Sequence, residues 1–123
     1  MKQEIRTPDA PQPAGPYSQG IIAGTRIYVA GQRPTNPATG TIPEGITAQA
    51  VQTLNNVKAV LEAGGATLDD VVKVGVYLAD IAYFAEFNEV YKQFFTAPYP
   101  VRTTVSCSLR GFLVEVDAIA ERS

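Results

Sequence analysis

Arg102-Thr103-Thr104-Val105-Ser106-Cys107-Ser108-Leu109-Arg110-Gly111-Phe112-Leu113-Val114-Glu115-Val116-Asp117-Ala118-Ile119 is the stretch on which the reading of this chain turns. Successive side chains of a strand point to opposite faces. In Arg102–Leu109, Arg102, Thr104, Ser106 and Ser108 share one face, and Thr103, Val105, Cys107 and Leu109 the other. In Leu113–Ile119, Glu115 and Asp117 lie with Leu113 and Ile119, while Val114, Val116, Ala118 and the following Ala120 lie opposite. Arg110-Gly111 between them reads as a turn, so the segment predicts a C-terminal β-hairpin. A two-residue loop would set Leu109 against Phe112, Ser106 against Glu115 and Thr104 against Asp117. The polar residues of both strands then share a face, and a slip of one residue would scatter them.

That face would carry one arginine, two carboxylates and several hydroxyls. Guanidinium is permanently charged and takes a carboxylate through two parallel hydrogen bonds. A carboxylate such as Glu115 can orient water or shuttle a proton. The same register puts Glu115 four residues along from Arg102, roughly 13 Å, too far for one small substrate to touch both in a flat hairpin. Plainer roles fit as well: Arg102 paired with Asp117 or with a neighbouring subunit, and Glu115 and Asp117 as solvated charges.

Outward from this segment, the period changes twice. Residues 7–20 are rich in Pro, Gly, Ala and Gln and read as an extended irregular arm. Ile21–Ala23 and Ile27–Ala30 flank the turn signal Gly24-Thr25, a second hairpin. The Pro- and Gly-bearing stretch from Gly31 to Gly45 is a long loop of the kind that often carries function. From Ile46 to Ala63 the apolar residues Val51, Leu54, Val57 (or Lys58), Val60 and Leu61 follow a helical stripe that stops at Gly64-Gly65. Thr67-Leu68-Asp69-Asp70 has capping-box spacing, Val71–Leu78 reads as a strand, and Asp80 caps a helix from about Ile81 to Phe95. Phe84, Phe87, Tyr91, Phe94 and Phe95 form that helix's core stripe, with Asn88 at its edge in a hydrogen-bonding role. The order is β-β-α-β-α-β-β over residues 1–123 as one domain: an α+β fold with two helices on one mixed sheet, whose other face lacks a cover.

Composition narrows the chemistry. The 123 residues are 46% hydrophobic and 18% charged, with a net charge of −2 and a sequence pI near 5.0. No Lys/Arg run exists to follow a phosphate backbone, so nucleic acid is not an expected partner. With no histidine, Ser-His-Asp and Cys-His catalysis are excluded and the common zinc sites are not expected. Cys107 stands alone, so no disulfide forms within the chain. The N-terminus lacks the apolar core of a signal peptide and no apolar run approaches a membrane span, so the expectation is a cytosolic protein without a membrane partner.

Several segments together carry a resemblance: Gly15-Pro16-Tyr17-Ser18-Gln19-Gly20, Val29-Ala30-Gly31-Gln32, Asn55-Asn56-Val57-Lys58-Ala59-Val60-Leu61-Glu62-Ala63-Gly64-Gly65, Phe87-Asn88-Glu89-Val90-Tyr91, Pro100-Val101-Arg102 and Val114-Glu115-Val116. In this order, nearly end to end, the chain resembles the RidA/YjgF family of reactive intermediate (enamine/imine) deaminases. The resemblance implies a chorismate-mutase-like fold, and a homotrimer with a central barrel and active sites in clefts between subunits. It also implies cofactor-free, metal-free hydrolysis of 2-imino acids to 2-keto acids and ammonia. The family's carboxylate-binding arginine falls on Arg102, its acidic residue on Glu115, its arm tyrosine on Tyr17 and its loop glycine on Gly31. Ala30 and Asn88 complete the candidate substrate contacts. Ala30 stands where many members have serine, Arg33 where an apolar residue is usual, and Thr103-Thr104 where a small residue and Cys are common. The segment from Arg102 to Glu115 also looks shorter than usual. Two other readings remain at this point: a non-catalytic carboxylate-binding or chaperone-like trimer, and a ribonuclease or translation inhibitor, against which the acidic pI and missing histidine speak.

Overall fold

The computed structural model describes residues 1–123. Strand β1 (Lys2–Ile5) pairs with β2 (Gly20–Ala23), which returns through Gly24-Thr25 to β3 (Arg26–Gln32). The β2–β3 hairpin is as read from the sequence. Strand β1 is an addition: it has four residues with only Ile5 buried, too short to show alternation.

Helix α1 (Ile46–Ala63) buries Leu54, Val57, Val60 and Leu61 completely and ends at Gly64-Gly65, where Gly65 takes φ +85°. The Thr67–Asp70 capping box is present, Thr67 N–H donating to Asp70 Oδ2 at 2.9 Å, and leads into β4 (Val71–Leu78). Asp80 Oδ1 accepts the Ala82 N–H at 2.8 Å, opening a 3-10 turn that runs into α2 (Phe84–Phe94). Strands β5 (Val101–Ser106) and β6 (Val114–Glu121) close the chain.

The sheet order is β1-β2-β3-β6-β4-β5, and it overturns the C-terminal hairpin. Strand β6 lies antiparallel between β3 and β4, while β5 lies parallel to β4 at the far edge. Ser106 does not face Glu115, nor Thr104 Asp117; their partners on β4 are Leu78 and Val76 for the first of each pair, Tyr77 and Gly75 for the second. Alternation reveals which residues share a face but not which strand sits alongside.

Both helices cover one face, α1 lying over β3 and β6 with α2 beside it. Ile27, Val74, Val76, Leu78, Val114 and Val116 point into this layer and are fully buried. At about 1.5–3 kcal/mol per buried large aliphatic side chain, this layer dominates the favourable side of folding. Two helices on one mixed sheet is the α+β arrangement expected. The opposite face is open and concave: Tyr28, Gly75, Tyr77, Val105, Asp117 and Ile119 help line a cavity of about 450 Å³.

Candidate functional site

The site begins at a bulge. On β3, Val29 pairs with Ala118 and Gln32 with Val116, so Ala30 and Gly31 together oppose Asp117. A bulge re-aims side chains and commonly sits beside functional groups. Here Ala30 and Gly31 both border the open face. Gly31 has to be glycine for lack of room: a Cβ would collide with the Glu115 carboxylate, which lies across it. Gly75 on β4 plays the same part for Asp117, whose Oδ2 accepts the Tyr77 hydroxyl at 3.0 Å. That hydrogen bond holds the Tyr77 hydroxyl protonated beyond its ordinary range, with burial and the Asp117 charge acting in the same direction. Asp117 is thereby engaged, whereas Glu115 has neither a hydrogen bond nor an ion pair.

Glu115 is half-buried. Its carboxyl is held above the usual carboxylate range, first by burial; the Arg33 guanidinium opposes this and the Asp117 charge reinforces it. Tyr17, Ala30, Gly31, Arg33 and Glu115 surround a cavity of about 320 Å³. It adjoins a wider hollow of about 530 Å³ walled further by Ser108, Arg110 and Phe112.

Tyr17 reaches this cavity because the irregular arm is pinned. Gln19, 2% exposed, donates through Nε2 to the carbonyls of Thr7 (3.0 Å), Ala10 (3.2 Å) and Pro11 (2.9 Å), and accepts the Thr7 N–H at 2.8 Å. The Gln19 carbonyl accepts the Ala30 N–H at 2.9 Å, joining the arm to the bulge. Tyr17 Oη accepts the Ala14 N–H at 3.2 Å. The loop after β3 is held from α1 in the same manner. Buried Asn56 donates through Nδ2 to the carbonyls of Arg33 (2.9 Å) and Thr35 (3.0 Å).

Arg102 stands elsewhere. On edge strand β5 it pairs with Val74, so its side chain lies on the helix side of the sheet. The guanidinium sits over Tyr91 at 4.7 Å, Phe84 at 5.5 Å and Phe87 at 5.8 Å, and Nη2 donates to Asn88 Oδ1 at 2.8 Å. Three rings and an amide fix the cation without neutralising it, and no carboxylate lies within ion-pair distance. The pairing with Asp117 considered above is therefore absent. Phe84, read as core, is 41% exposed and serves as part of this shelf. Tyr91 Oη and Thr104 Oγ1, beside Arg102 and on its strand face, are buried without partners. Arg102, Asn88, Tyr91, Lys92, Tyr99 and Pro100 outline a shallow basin of about 500 Å³.

The six candidates thus fall into two groups. Tyr17, Ala30, Gly31 and Glu115 share one cavity, while Arg102 and Asn88 share another. Glu115 lies level with Tyr77 and Val105, three residues along from Arg102 and two strands over. That is roughly 10 Å along and roughly 10 Å across, through the sheet to its other face. The shared polar face read from the sequence is corrected accordingly: β5 turns Arg102 and Thr104 toward the helices, and Val101, Thr103 and Val105 on its other face are exposed, as is Ser106 at its end.

With this geometry in hand, comparison with known proteins places the chain. The family model described as endoribonuclease L-PSP matches residues 7–122. A 2-iminobutanoate/2-iminopropanoate deaminase of Escherichia coli is 42% identical over 127 residues, 99% of each chain. A RutC family protein of Pyrococcus horikoshii is 49% identical over 123 residues, 98% of each. The crystal structure of the E. coli YjgF gene product superposes with a TM-score of 0.94 at 42% identity, covering 98% of this chain and 99% of its own. The chain belongs to the RidA/YjgF family.

Reading the sequence missed the residues that hold the site. Gln19 and Asn56 look like ordinary polar residues until their backbone partners are known. The aromatic shelf was visible as a helical stripe, but nothing in the stripe said that an arginine from a later strand would rest on it. Arg33 stood out as unusual without any sign that it lines the Glu115 cavity. No helix is long and apolar enough to cross a membrane.

Proposed function

We propose that this RidA/YjgF-family chain hydrolyses small 2-imino acids, such as 2-iminobutanoate and 2-iminopropanoate, to 2-keto acids and ammonia, in sites shared between neighbouring copies of a homotrimer. The observation that carries the reading is the division of charge: an unneutralised Arg102 cation on one face, and an unpaired Glu115 carboxylate in a cavity on the other. One copy cannot present both to one small molecule; two copies can, if the β5 edge of one meets the bulge of the next. The exposed Tyr28, Val101 and Val105 favour such packing.

In this reading Arg102 grips the substrate carboxylate, steadied by Asn88 and the aromatic shelf. Glu115 orients a water molecule, and Tyr17, Ala30 and Gly31 shape the space around it. Water adds across C=N, its oxygen bonding to carbon and a proton passing to nitrogen. The carbinolamine C–N bond then breaks, the hydroxyl becomes the keto oxygen after losing its proton, and ammonia departs. Imines already hydrolyse in water, so positioning can supply much of the acceleration. The residues need no cofactor or metal for this chemistry, and the reaction suits a cytosolic enzyme. The E. coli relative named for this activity supports the assignment.

The test generates the imine in place with an amino-acid oxidase and follows semicarbazone suppression. Wild-type protein should suppress it strongly, and Arg102→Ala should lose at least about a hundredfold in kcat/KM, the scale of a lost charge-assisted pair. No suppression with any imine would refute the activity; an undiminished Arg102→Ala would refute the anchor. Ala30 favours a second reading, since it brings no hydroxyl to the cavity: a carboxylate-binding trimer without turnover. Tight binding of 2-keto acids with no imine hydrolysis would support that reading instead.

A further inference from the structure

Arg33 is the one residue of the Glu115 cavity with no part in the reaction just described. It is half-buried, and its backbone carbonyl is fixed by buried Asn56 at 2.9 Å. Its side chain lines both the 320 Å³ cavity and the hollow beside it. It has no ion pair and no side-chain hydrogen bond, yet its charge reaches Glu115. Glu115 is the nearby charge, but no carboxylate lies within ion-pair distance of Arg33, so the planar fork of this half-buried guanidinium is free to take one from a ligand. One carboxylate of a 2-imino acid is taken by Arg102, so the anion left for Arg33 is a second one.

We infer that Arg33 is a specificity residue selecting 2-imino acids that carry a side-chain carboxylate, of four or five carbons. This rests on the deaminase reading and deepens it. Such a dianion would lie between Arg102 of one copy and Arg33 of the next, with the imine carbon between them near Glu115. A monocarboxylic imine would leave Arg33 unsatisfied. Arg110, exposed on the wall of the wider hollow, supplies the internal control for a diffuse positive field.

The experiment uses two readouts on the full chain. Calorimetric binding compares 2-oxoglutarate with 2-oxobutanoate, and the coupled assay compares imines made by oxidases from aspartate or glutamate with those from aminobutyrate. Wild type should prefer the dicarboxylate in both. Arg33→Gln should shrink that preference ratio by about tenfold or more, with Arg33→Lys restoring part of it and Arg110→Gln moving it less than about twofold. Any effect of Arg33 on Glu115 ionisation is common to all imines and cancels in the ratio. An absent preference in wild type, a ratio unmoved by Arg33→Gln, or an equal shift in Arg110→Gln would overturn the assignment. A binding preference that Arg33→Gln erases, with no imine hydrolysed at all, would sustain the Arg33 assignment while removing the deaminase reading.

Discussion

Glu115 is where the proposed function and stability oppose each other. Its carboxyl is raised above its unfolded value chiefly by burial, so folding favours the neutral form. That preference stabilises the native state below the unfolded pKa, and the advantage is lost as pH rises through the raised folded value. The ionised carboxylate is therefore held half-buried at a cost. Glu115→Gln removes the cost and should melt at a higher temperature than wild type at neutral pH, with the gap closing below about pH 4. The same variant should lose most of its imine hydrolysis. Scanning calorimetry across pH beside the coupled assay checks both; a variant that melts lower at neutral pH would contradict the burial argument. Arg102, Glu115, Tyr17 and Gly31 stood out as candidates for the proposed site because the motifs around them are distinctive. Their grouping did not. Nothing in Arg102-Thr103-Thr104-Val105 reveals that the arginine turns toward α2, since Thr104 on the same face is polar and reads as exposed.

At the scale of elements, the N-terminal arm shows how little regular structure a site requires when its backbone groups are matched. Gln19 makes four hydrogen bonds to the arm and is almost fully buried. Removing it strands the Thr7 N–H and the Pro11 carbonyl, while Gln12 Nε2 still serves the carbonyls of Thr7 and Ala10; the cost is about 1–3 kcal/mol for the buried donor alone. Gln19→Ala should lower the melting temperature by several degrees and raise KM more than it lowers kcat, because Tyr17 loses its support. Equal melting curves would contradict the pinning role. Helices α1 and α2, the β2–β3 hairpin and β4 were readable because their signals are local: a 3.6-residue stripe, a Gly turn, a capping box. The β5–β6 hairpin was misread because pairing is not local. The seven residues 107–113 carry the chain past β4, and the neighbour of β6 is chosen by burial: Val114, Val116, Ala118 and Ala120 gain more between two central strands than at an edge.

The whole molecule presents an open, cavity-bearing sheet face, and two clusters of candidate residues on opposite faces of the sheet. The proposed homotrimer resolves both. Val105 is 42% exposed beside the open-face cavity. Val105→Lys would place an ammonium in that interface at a cost of several kcal/mol. It should sediment as a monomer, keep its far-ultraviolet circular dichroism and lose activity; a trimeric, active variant would contradict the placement of the interface. The central claim is that Arg102 and Glu115 act on one substrate from different copies, and complementation tests it most directly. Arg102→Ala and Glu115→Gln chains, each inactive alone, are co-expressed and the mixed oligomers purified. If the site is shared, one of the three interfaces in every mixed trimer joins an intact Arg102 to an intact Glu115, and about a third of wild-type activity returns. If activity stays at the level of either parent, the two residues do not meet across subunits.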